Sequence, residues 1–450
     1  MNLFPSQNMT TASLPMASPV SQSERIVIID SLRGIALCGI LLMNIPFFGL
    51  PDPVADNLTL RHELGTINEH IWYIISWLLE GSQRALFSML FGTGVILFIS
   101  RLEKRTSGMI PAEYFIRRQL WLLVFGLFDA FILLWPGDIL FEYAIGGIIV
   151  FVFRNLKPKN LLIAAFVSLL LMSARENLDM HRQKQIIRKG ELVARMDTTK
   201  VKLSDPQKDD LNAMKDFKEH SDSAGLRKEM EKNLRQTLGT YSDLYKNASA
   251  LSARFEFTYS YYGIWDIIVF MFIGMAFFKS GVLTGEAPVR TYWLLFIFGL
   301  VPGLIISYYR LQPLFTTHFN WFEYTKKVHF EYYEISRVFR ALGIFGLIML
   351  LYKSGWFGWF FRLLRPVGQM AFTNYLMQSF MCGLYFYGIG FGMFGQLQRY
   401  QIYFVVGVVW AIEIIWSHIW LRYFRFGPLE WLWRSLTYWK KQPLRREASI

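Results

Sequence analysis

The sequence predicts an all-α protein, a polytopic integral membrane helix bundle with about ten transmembrane helices and one helical extracytoplasmic insert. Three observations predict it. Of the 450 residues 53% are hydrophobic and 17% aromatic while only 18% are charged, a balance poorer in charge than that of soluble domains, which carry about 25%. The apolar residues fall in blocks of about 17–25, the length a helix needs to cross roughly 30 Å of hydrocarbon. The blocks lack the alternation of barrel strands, and only helices and closed barrels satisfy their backbone hydrogen bonds in lipid.

Each span follows from an apolar run bounded by charged or turn residues. They are expected at Ile26–Leu50, Ile71–Ser100, Leu120–Trp135, Ile139–Phe153, Leu161–Ser173, Tyr262–Phe278, Tyr292–Tyr309, Ile335–Tyr352, Val367–Tyr387 and Ile402–Leu421. The second run is too long for one crossing, reaching about 45 Å. Glu80, Gly81, Ser82, Gln83 and Arg84 interrupt it, so a short outer segment should break there and feed the crossing proper.

Orientation follows from the basic residues, which collect in cytoplasmic loops. Arg101, Lys104, Arg105, Arg117 and Arg118 crowd the second connection; Arg154, Lys157 and Lys159 mark the fourth. Lys279 with Arg290 mark the sixth and Lys353, Arg362 and Arg365 the eighth, while Arg422, Arg425, Arg434, Lys440 and Lys441 follow the last span. The intervening connections carry Asp52, Asp56, Glu63 and Glu69, or the Pro136-Gly137-Asp138 turn. This alternation predicts a multi-pass protein of the plasma (inner) membrane with both termini in the cytoplasm.

The chain therefore divides into a disordered cytoplasmic tail (1–24), an N-terminal membrane bundle of about five spans (25–173) and a polar helical insert (174–255), followed by a C-terminal bundle of about five spans (256–421) and a basic cytoplasmic tail (422–450). The insert is dense in mixed-sign charge, as solvated helices are. Its run Arg182, Lys184, Arg188 and Lys189 reads as a solvated helix face, with contact to an anionic polymer as the alternative.

The net charge of +13 does not point to nucleic acid, because most of the excess sits in short loops and the C-terminal tail. The two cysteines, Cys38 and Cys382, lie inside apolar spans and form neither a disulfide framework nor a metal site. The first residues lack a basic start followed by an apolar core, so they are not a cleavable signal. No P-loop, dinucleotide fingerprint or nucleophile elbow is present. The expected partner is the lipid bilayer, and a homo-oligomer is compatible with the sequence.

Ionisable groups at bilayer depth are costly and suggest a site. Asp30-Ser31-Leu32-Arg33-Gly34 opens the first span, and Asn44 lies eleven residues beyond Arg33. That separation is three turns plus roughly 20°, so Arg33 and Asn44 share one face about 16 Å apart along the axis. Further polar groups are Asp129, Glu142, Asp266 and Glu413, with Asp138 at a span edge and Asn374 and Gln378 on one face of the ninth span. Asp129, Asp138, Glu142 and Asp266 fall toward the outer half, where they line an acceptor cavity, or one of them is the base if its pKa is raised, or they pair with arginines across the bundle. Asn374 and Gln378 either join them or bond neighbouring helices. Gly92 and Gly94, in an apolar helix, read as close-packing positions.

Four stretches resemble a known family. Asp30-Ser31-Leu32-Arg33-Gly34-Ile35-Ala36-Leu37 ending in Asn44, and Leu86-Phe87-Ser88-Met89-Leu90-Phe91-Gly92-Thr93-Gly94, resemble the first- and second-span motifs of the YeiB-like family, domain of unknown function 418. Gly368-Gln369-Met370-Ala371-Phe372-Thr373-Asn374-Tyr375-Leu376-Met377-Gln378-Ser379 is similar to its ninth-span signature, and Phe426-Gly427-Pro428-Leu429-Glu430-Trp431-Leu432-Trp433-Arg434 to its C-terminal one. The resemblance runs from Arg25 to about Tyr438, outside the insert. More remotely the chain resembles a superfamily of transmembrane acyltransferases that includes acyltransferase family 3 and the heparan-α-glucosaminide N-acetyltransferases. Asn44 stands where family 3 has a histidine, and the Pro53–Asp56 region holds no histidine where the heparan-type enzymes have theirs.

The resemblance implies an acyltransferase that passes an acyl group, acetyl being the simplest, from a cytoplasmic acyl-CoA to an extracytoplasmic glycan or small polar acceptor, with no metal. Such chemistry needs a base, oxyanion donors and cations for the donor's phosphates. On that reading His70 is the candidate base, its alternative being an interfacial histidine beside Trp72 and Tyr73, and Asn44 positions the acyl carbonyl or the acceptor. Arg33, Arg117 and Arg118 meet the coenzyme A phosphates, and Asp129, Asp138, Glu142, Asp266, Asn374 and Gln378 line the acceptor cavity. A membrane transporter or exporter of a small solute is the alternative, since intramembrane charges serve ion pathways equally well.

Overall fold

The computed structural model describes residues 26–106, 108–196 and 202–446; the expected disordered tail, residues 1–24, lies outside them. The regular structure of the described residues is helical, with a single isolated bridge between Phe424 and Arg445. The N-terminal part comprises α1 (Val27–Gly49), α2 (Asp52–Ala55), α3 (Ile67–Leu78), α4 (Ser82–Glu103), α5 (Ile110–Phe131), α6 (Leu140–Phe151) and α7 (Pro158–Ala194). The insert adds α8 (Asp205–Ser221), α9 (Ser223–Thr237) and α10 (Tyr241–Arg254). A wide π-helical turn at Phe255–Tyr259 then leads into α11 (Ser260–Lys279). The C-terminal part holds α12 (Val289–Leu295), a second π-helical turn, α13 (Val301–Thr316), α14 (Trp321–Lys327), α15 (Tyr333–Ser354), α16 (Gly358–Gln369), α17 (Ala371–Phe386), α18 (Arg399–Tyr423) and α19 (Pro428–Tyr438).

Six stretches among the described residues are long and apolar enough to cross a bilayer: α1, α3 with α4, α7, α12 with α13, α15 and α18. The bent pair α10 with α11 makes a seventh if it is one span. The protein is therefore a polytopic helical membrane protein. Length and composition do not establish the full expected count, because α6 has 12 residues, α17 has 16, and α5 carries Glu113, Arg117, Arg118 and Asp129.

The second expected span is broken as its sequence implied. Gly81 takes φ +72° between α3 and α4, and a Cβ there would meet the Arg337 and Tyr333 side chains. Arg340, fully buried, caps the end of α3: its guanidinium donates to the carbonyls of Ser76 (2.8 Å), Trp77 (3.0 Å) and Glu80 (2.9 Å). A cation is favoured at a helix C-terminus, where unpaired carbonyls gather.

Glycines set two of the closest helix crossings. A Cβ on Gly368 of α16 would lie 2.6 Å from the Gly34 nitrogen of α1, and one on Gly34 would lie 3.1 Å from the Leu364 carbonyl carbon. Gly92 of α4 and Gly274 of α11 meet the same way, each within 3 Å of the other helix's backbone at Met271 and Met89. Small residues let backbones approach and recover packing where lipid supplies no hydrophobic drive. Gly94 is different: a Cβ there would find only the Arg33 guanidinium, 3.8 Å away, so it keeps space open rather than closing a seam.

The insert is not hinged away from the bundle. α7 runs unbroken through the expected boundary at residue 174 for 37 residues, about 55 Å, so its second half projects beyond the hydrocarbon. α9 and α10 then fold back over the bundle end. Asn233 of α9 exchanges hydrogen bonds with Asp52 of α2, and Ser252 of α10 donates to the Ala130 carbonyl at 2.9 Å. Leu244 and Ala248 are buried with Leu41, Ile45 and Phe48 of α1. Within the basic run, Lys184 donates to the Val328 carbonyl, Arg182 pairs with Asp179 (3.1 Å) and Lys189 with Asp210 (3.9 Å).

Candidate functional site

The first-span motif works as a unit at the basic end of the bundle. Ser31 donates to the Phe361 carbonyl (3.0 Å), Gln369 donates to Asp30 (3.1 Å), and Gly34 lets α16 lie against α1. Held between these contacts, Arg33 is 3.4 Å from Asp30 and lines a cavity.

The C-terminal and ninth-span motifs lock together beside it. α16 and α17 are separate helices that break at Met370, which exposes the first amides of α17. Glu430 of α19 closes that end: its carboxylate accepts from the Phe372 nitrogen (2.8 Å), the Thr373 nitrogen (3.0 Å) and the Thr373 hydroxyl (2.5 Å). An anion at a helix N-terminus satisfies orphan donors and the helix dipole together. Pro428 starts α19, and its Trp433 donates from Nε1 to the Arg118 carbonyl (2.9 Å) while the Arg118 guanidinium stacks 3.5 Å over the same ring. The C-terminal segment expected as a basic tail thus builds a helix that walls the site.

The cavity between α1, α4, α5, α6, α17 and α19 has a volume of about 240 Å³. Arg33, Arg101, Arg118 and Arg434 line its basic end, with Asp30 and Glu430 between them. Along α4 it extends from Arg101 to Phe87, fourteen residues and so about 21 Å. Its inner part is apolar apart from Gln119, Tyr143 and Tyr375. Gln119 is 1% exposed and its side-chain oxygen has no partner. Tyr143 bonds to the Ser88 hydroxyl at 2.6 Å.

The structure brings together only part of the expected site. Arg33 and Arg118 meet in the cavity, joined by Arg101 and Arg434, which composition alone marks as loop anchors. Arg117 does not: it pairs with Glu113, donates to the Thr437 carbonyl (3.3 Å) and lies 5.1 Å from the Trp439 ring, tying α5 to the end of α19. Asn44 is half-buried further along α1, outside the cavity lining, and His70 is exposed on the first turn of α3. His70, expected as the base, and Asn44, expected as the positioning amide, are therefore apart from the cavity, because α1 and α3 carry them toward the insert end.

The expected acceptor cavity resolves into three separate clusters. Asp266 is held by Arg84 and Arg337, Arg337 also grips Glu334, and Glu142 lies 3.9 Å from Arg84. Asn374 and Gln378 bond α18 instead: Asn374 donates to Ser417 (3.0 Å) and accepts from Trp416 (2.9 Å), and Gln378 donates to Glu413 (3.2 Å). Asp129 and Asp138 form the third cluster, described below. Asp266, Glu142, Asn374 and Gln378 thus serve helix–helix contacts, the outcome expected when polar groups must find partners in lipid. Tyr143, Tyr375, Gln119 and Trp433 went unread as site residues. The one available signal was Gln119 beside Arg118, an amide in an otherwise apolar run.

Comparison with known proteins adds the family. The chain is 30% identical over 444 residues to the uncharacterized protein YxaH of Bacillus subtilis (strain 168), covering 96% of this chain and 99% of that one. It belongs to the YeiB-like DUF418 family. A family model described as "Protein of unknown function (DUF418)" matches residues 277–440, which include α16, α17 and the Glu430 helix. The uncharacterized protein YeiB of Escherichia coli (strain K12) is 29% identical over 427 residues, 92% of this chain and 96% of its own. An uncharacterized 39.9 kDa protein encoded beside an amylase gene in Bacillus acidopullulyticus is 27% identical over 432 residues, 96% of this chain and 99% of its own. No solved structure matches.

Proposed function

We propose that this protein is a membrane acyltransferase that binds an acyl-CoA in the arginine-lined cavity and passes the acyl group to an acceptor hydroxyl or amine. The observation that carries the reading is the polarity of the cavity. Four arginines stand at one end and an apolar channel with three uncharged polar side chains leads inward from them. Coenzyme A has the same polarity, with phosphates at one end and a thin amide-bearing arm ending in the thioester at the other. Arginine suits phosphate because its planar fork makes two charge-assisted hydrogen bonds. The unpaired oxygen of Gln119 is set to accept from an amide N–H of that arm, and the apolar wall excludes water from the thioester.

The basic end faces the cytoplasm by the distribution of Lys and Arg, where acyl-CoA is made, and the membrane is the plasma membrane. The acceptor, a glycan or small polar metabolite, approaches from the insert side. The test is calorimetric titration of the purified protein with acetyl-CoA, with Arg118→Ala and Arg434→Ala alongside. Wild type should bind saturably, and each variant should lose about 10-fold or more, since a hydrogen bond to a charged group is worth about 1.5–3 kcal/mol. Equal binding by wild type and both variants would sink the reading. A second reading, export of an anionic solute, uses the same cavity. It is supported if vesicles take up solute while neither acetyl- nor longer acyl-CoA binds.

A further inference from the structure

The inner end of the cavity touches a group of acids that the donor site does not use. Tyr375, which lines the cavity, accepts from the Ile139 nitrogen (3.1 Å) and donates to Asp138 (3.3 Å). Asp138 also accepts from the Phe141 nitrogen (3.0 Å) and contacts Asp129, whose second oxygen accepts from Ser379 (3.2 Å). Asp129 is fully buried and its other oxygen has no hydrogen-bond partner. Glu256, from the π-helical turn before α11, approaches the same pair and is 3% exposed, with neither carboxyl oxygen bonded.

Among the described residues no Lys, Arg or His pairs with Asp129, Asp138 or Glu256. The contrast with the Asp266 cluster, where Arg84 and Arg337 meet the carboxylates, is sharp. Carboxyls that share a dry site with no cation are the arrangement that binds and passes protons. The titratable groups facing Tyr375 are Asp129 from α5, Asp138 from the loop before α6 and Glu256 from the π-turn. Glu142 of α6 stands behind Glu256 and is met by Arg84. Tyr143 of α6 shares the cavity wall.

We propose that this is the proton-transfer site of the reaction: Tyr375 takes the acceptor's proton while handing its own to Asp138, and Asp129, Ser379 and Glu256 position that carboxyl. The proposal rests on the acyl-transfer reading and supplies the base that His70 was expected to be. In the step, the acceptor oxygen or nitrogen forms a bond to the thioester carbonyl carbon and the carbon–sulfur bond breaks. The acceptor's proton passes to Tyr375 as the Tyr375 proton moves to Asp138. It returns by the same route to the departing sulfur, so the products are acylated acceptor and thiol, and the chain is reset. Tyr375 is the catalytic residue, and the acids act through it.

The test uses the purified full chain, measuring acetyl-CoA affinity and thiol release with water, glycerol and glucosamine as probe acceptors. Tyr375→Phe and Asp138→Asn should keep wild-type affinity, which also shows that they fold. They should lose at least about 100-fold in turnover, the usual worth of a general base, and with it the pH dependence of the rate. Asp138→Glu should restore part of the rate. Wild-type turnover and an unchanged pH profile in Tyr375→Phe would overturn the proposal while leaving the acyl-transfer reading intact. Wild type that binds no acyl-CoA would bring down both. If wild type binds but turns over none of the probes, infrared difference spectra on adding coenzyme A decide. An ionised-carboxylate band perturbed by the ligand and absent in Asp138→Asn supports the proposal, and no such band overturns it.

Discussion

Replacing Gly34 by Ala tests whether the α1–α16 seam sets the geometry of the cavity mouth. The added methyl would sit 3.1 Å from the Leu364 carbonyl carbon, 3.2 Å from the Gly368 nitrogen, and closer still to the Leu364 oxygen. All three are backbone atoms, so no side chain can swing away. Ordinary contact needs about 3.5 Å, so the helices must part by roughly 1 Å. That movement stretches the Gln369–Asp30 bond, now 3.1 Å, and the Ser31–Phe361 bond, now 3.0 Å, beyond hydrogen-bonding range. Two lost hydrogen bonds at about 1 kcal/mol each and overpacking of about 1–3 kcal/mol give a destabilisation of about 3–5 kcal/mol. Arg33 moves with Asp30, so acetyl-CoA affinity should also fall, by about 10-fold if one charged contact is lost. The assay is the unfolding midpoint in detergent together with a binding titration. Gly407→Ala is the control, since a Cβ there meets nothing within 4 Å. If Gly34→Ala matches that control in both measurements, the seam does not position Arg33.

Three further outcomes are expected. Gly94→Leu should fold with a wild-type midpoint but bind no acetyl-CoA, because its side chain has only the Arg33 guanidinium nearby and grows into the cavity; unaltered binding would place the donor elsewhere. Arg399→Met should cost about 3–5 kcal/mol. Arg399 is fully buried, pairs with Glu63 at 2.8 Å and donates to the Ala55 and Val54 carbonyls, and adding Glu63→Gln should recover part of the loss in the same denaturation assay. Burial under the insert, with Glu229 nearby, raises the Asp52 carboxyl from an ordinary value of 3.8 to about 6. A raised acid contributes stability that is complete below its unfolded value and is lost as pH climbs through the folded one. Protection of the α9 amides, taken against their intrinsic exchange rates, should therefore be greater at pH 4 than at pH 7, and Asp52→Asn should flatten the difference.

Much of the fold was legible because lipid imposes simple rules. The apolar runs and the break at Gly81 both follow from single-chain physics: hydrocarbon thickness and backbone satisfaction. Arg33 and its Asp30 partner were legible for the same reason, as a costly charge near a span end. The rest depends on which helices touch. Asp266 and Glu142 carry the same signature as Asp129 and Asp138, yet among the described residues the first two face arginines and the second two face none, and spacing along one helix holds no record of the opposite helix. Arg434 and Arg101 resemble any positive-inside anchor until α19 folds against α5. Asn44 and His70 fail for a related reason: Asn44 lies about three turns beyond Arg33 on α1, and His70 lies on α3, which adds nothing to the cavity lining.

The cavity also has an order of assembly built into it. Its lining runs from Ile26 to Tyr438, and the segment that completes it, α19, is made after every apolar stretch long enough to cross the bilayer. A nascent chain halted before Pro428 would hold its spans in place while the α17 amides that Glu430 covers lay open and the Trp433 wall was missing. The cavity is thus completed in one late event, when the C-terminal helix docks.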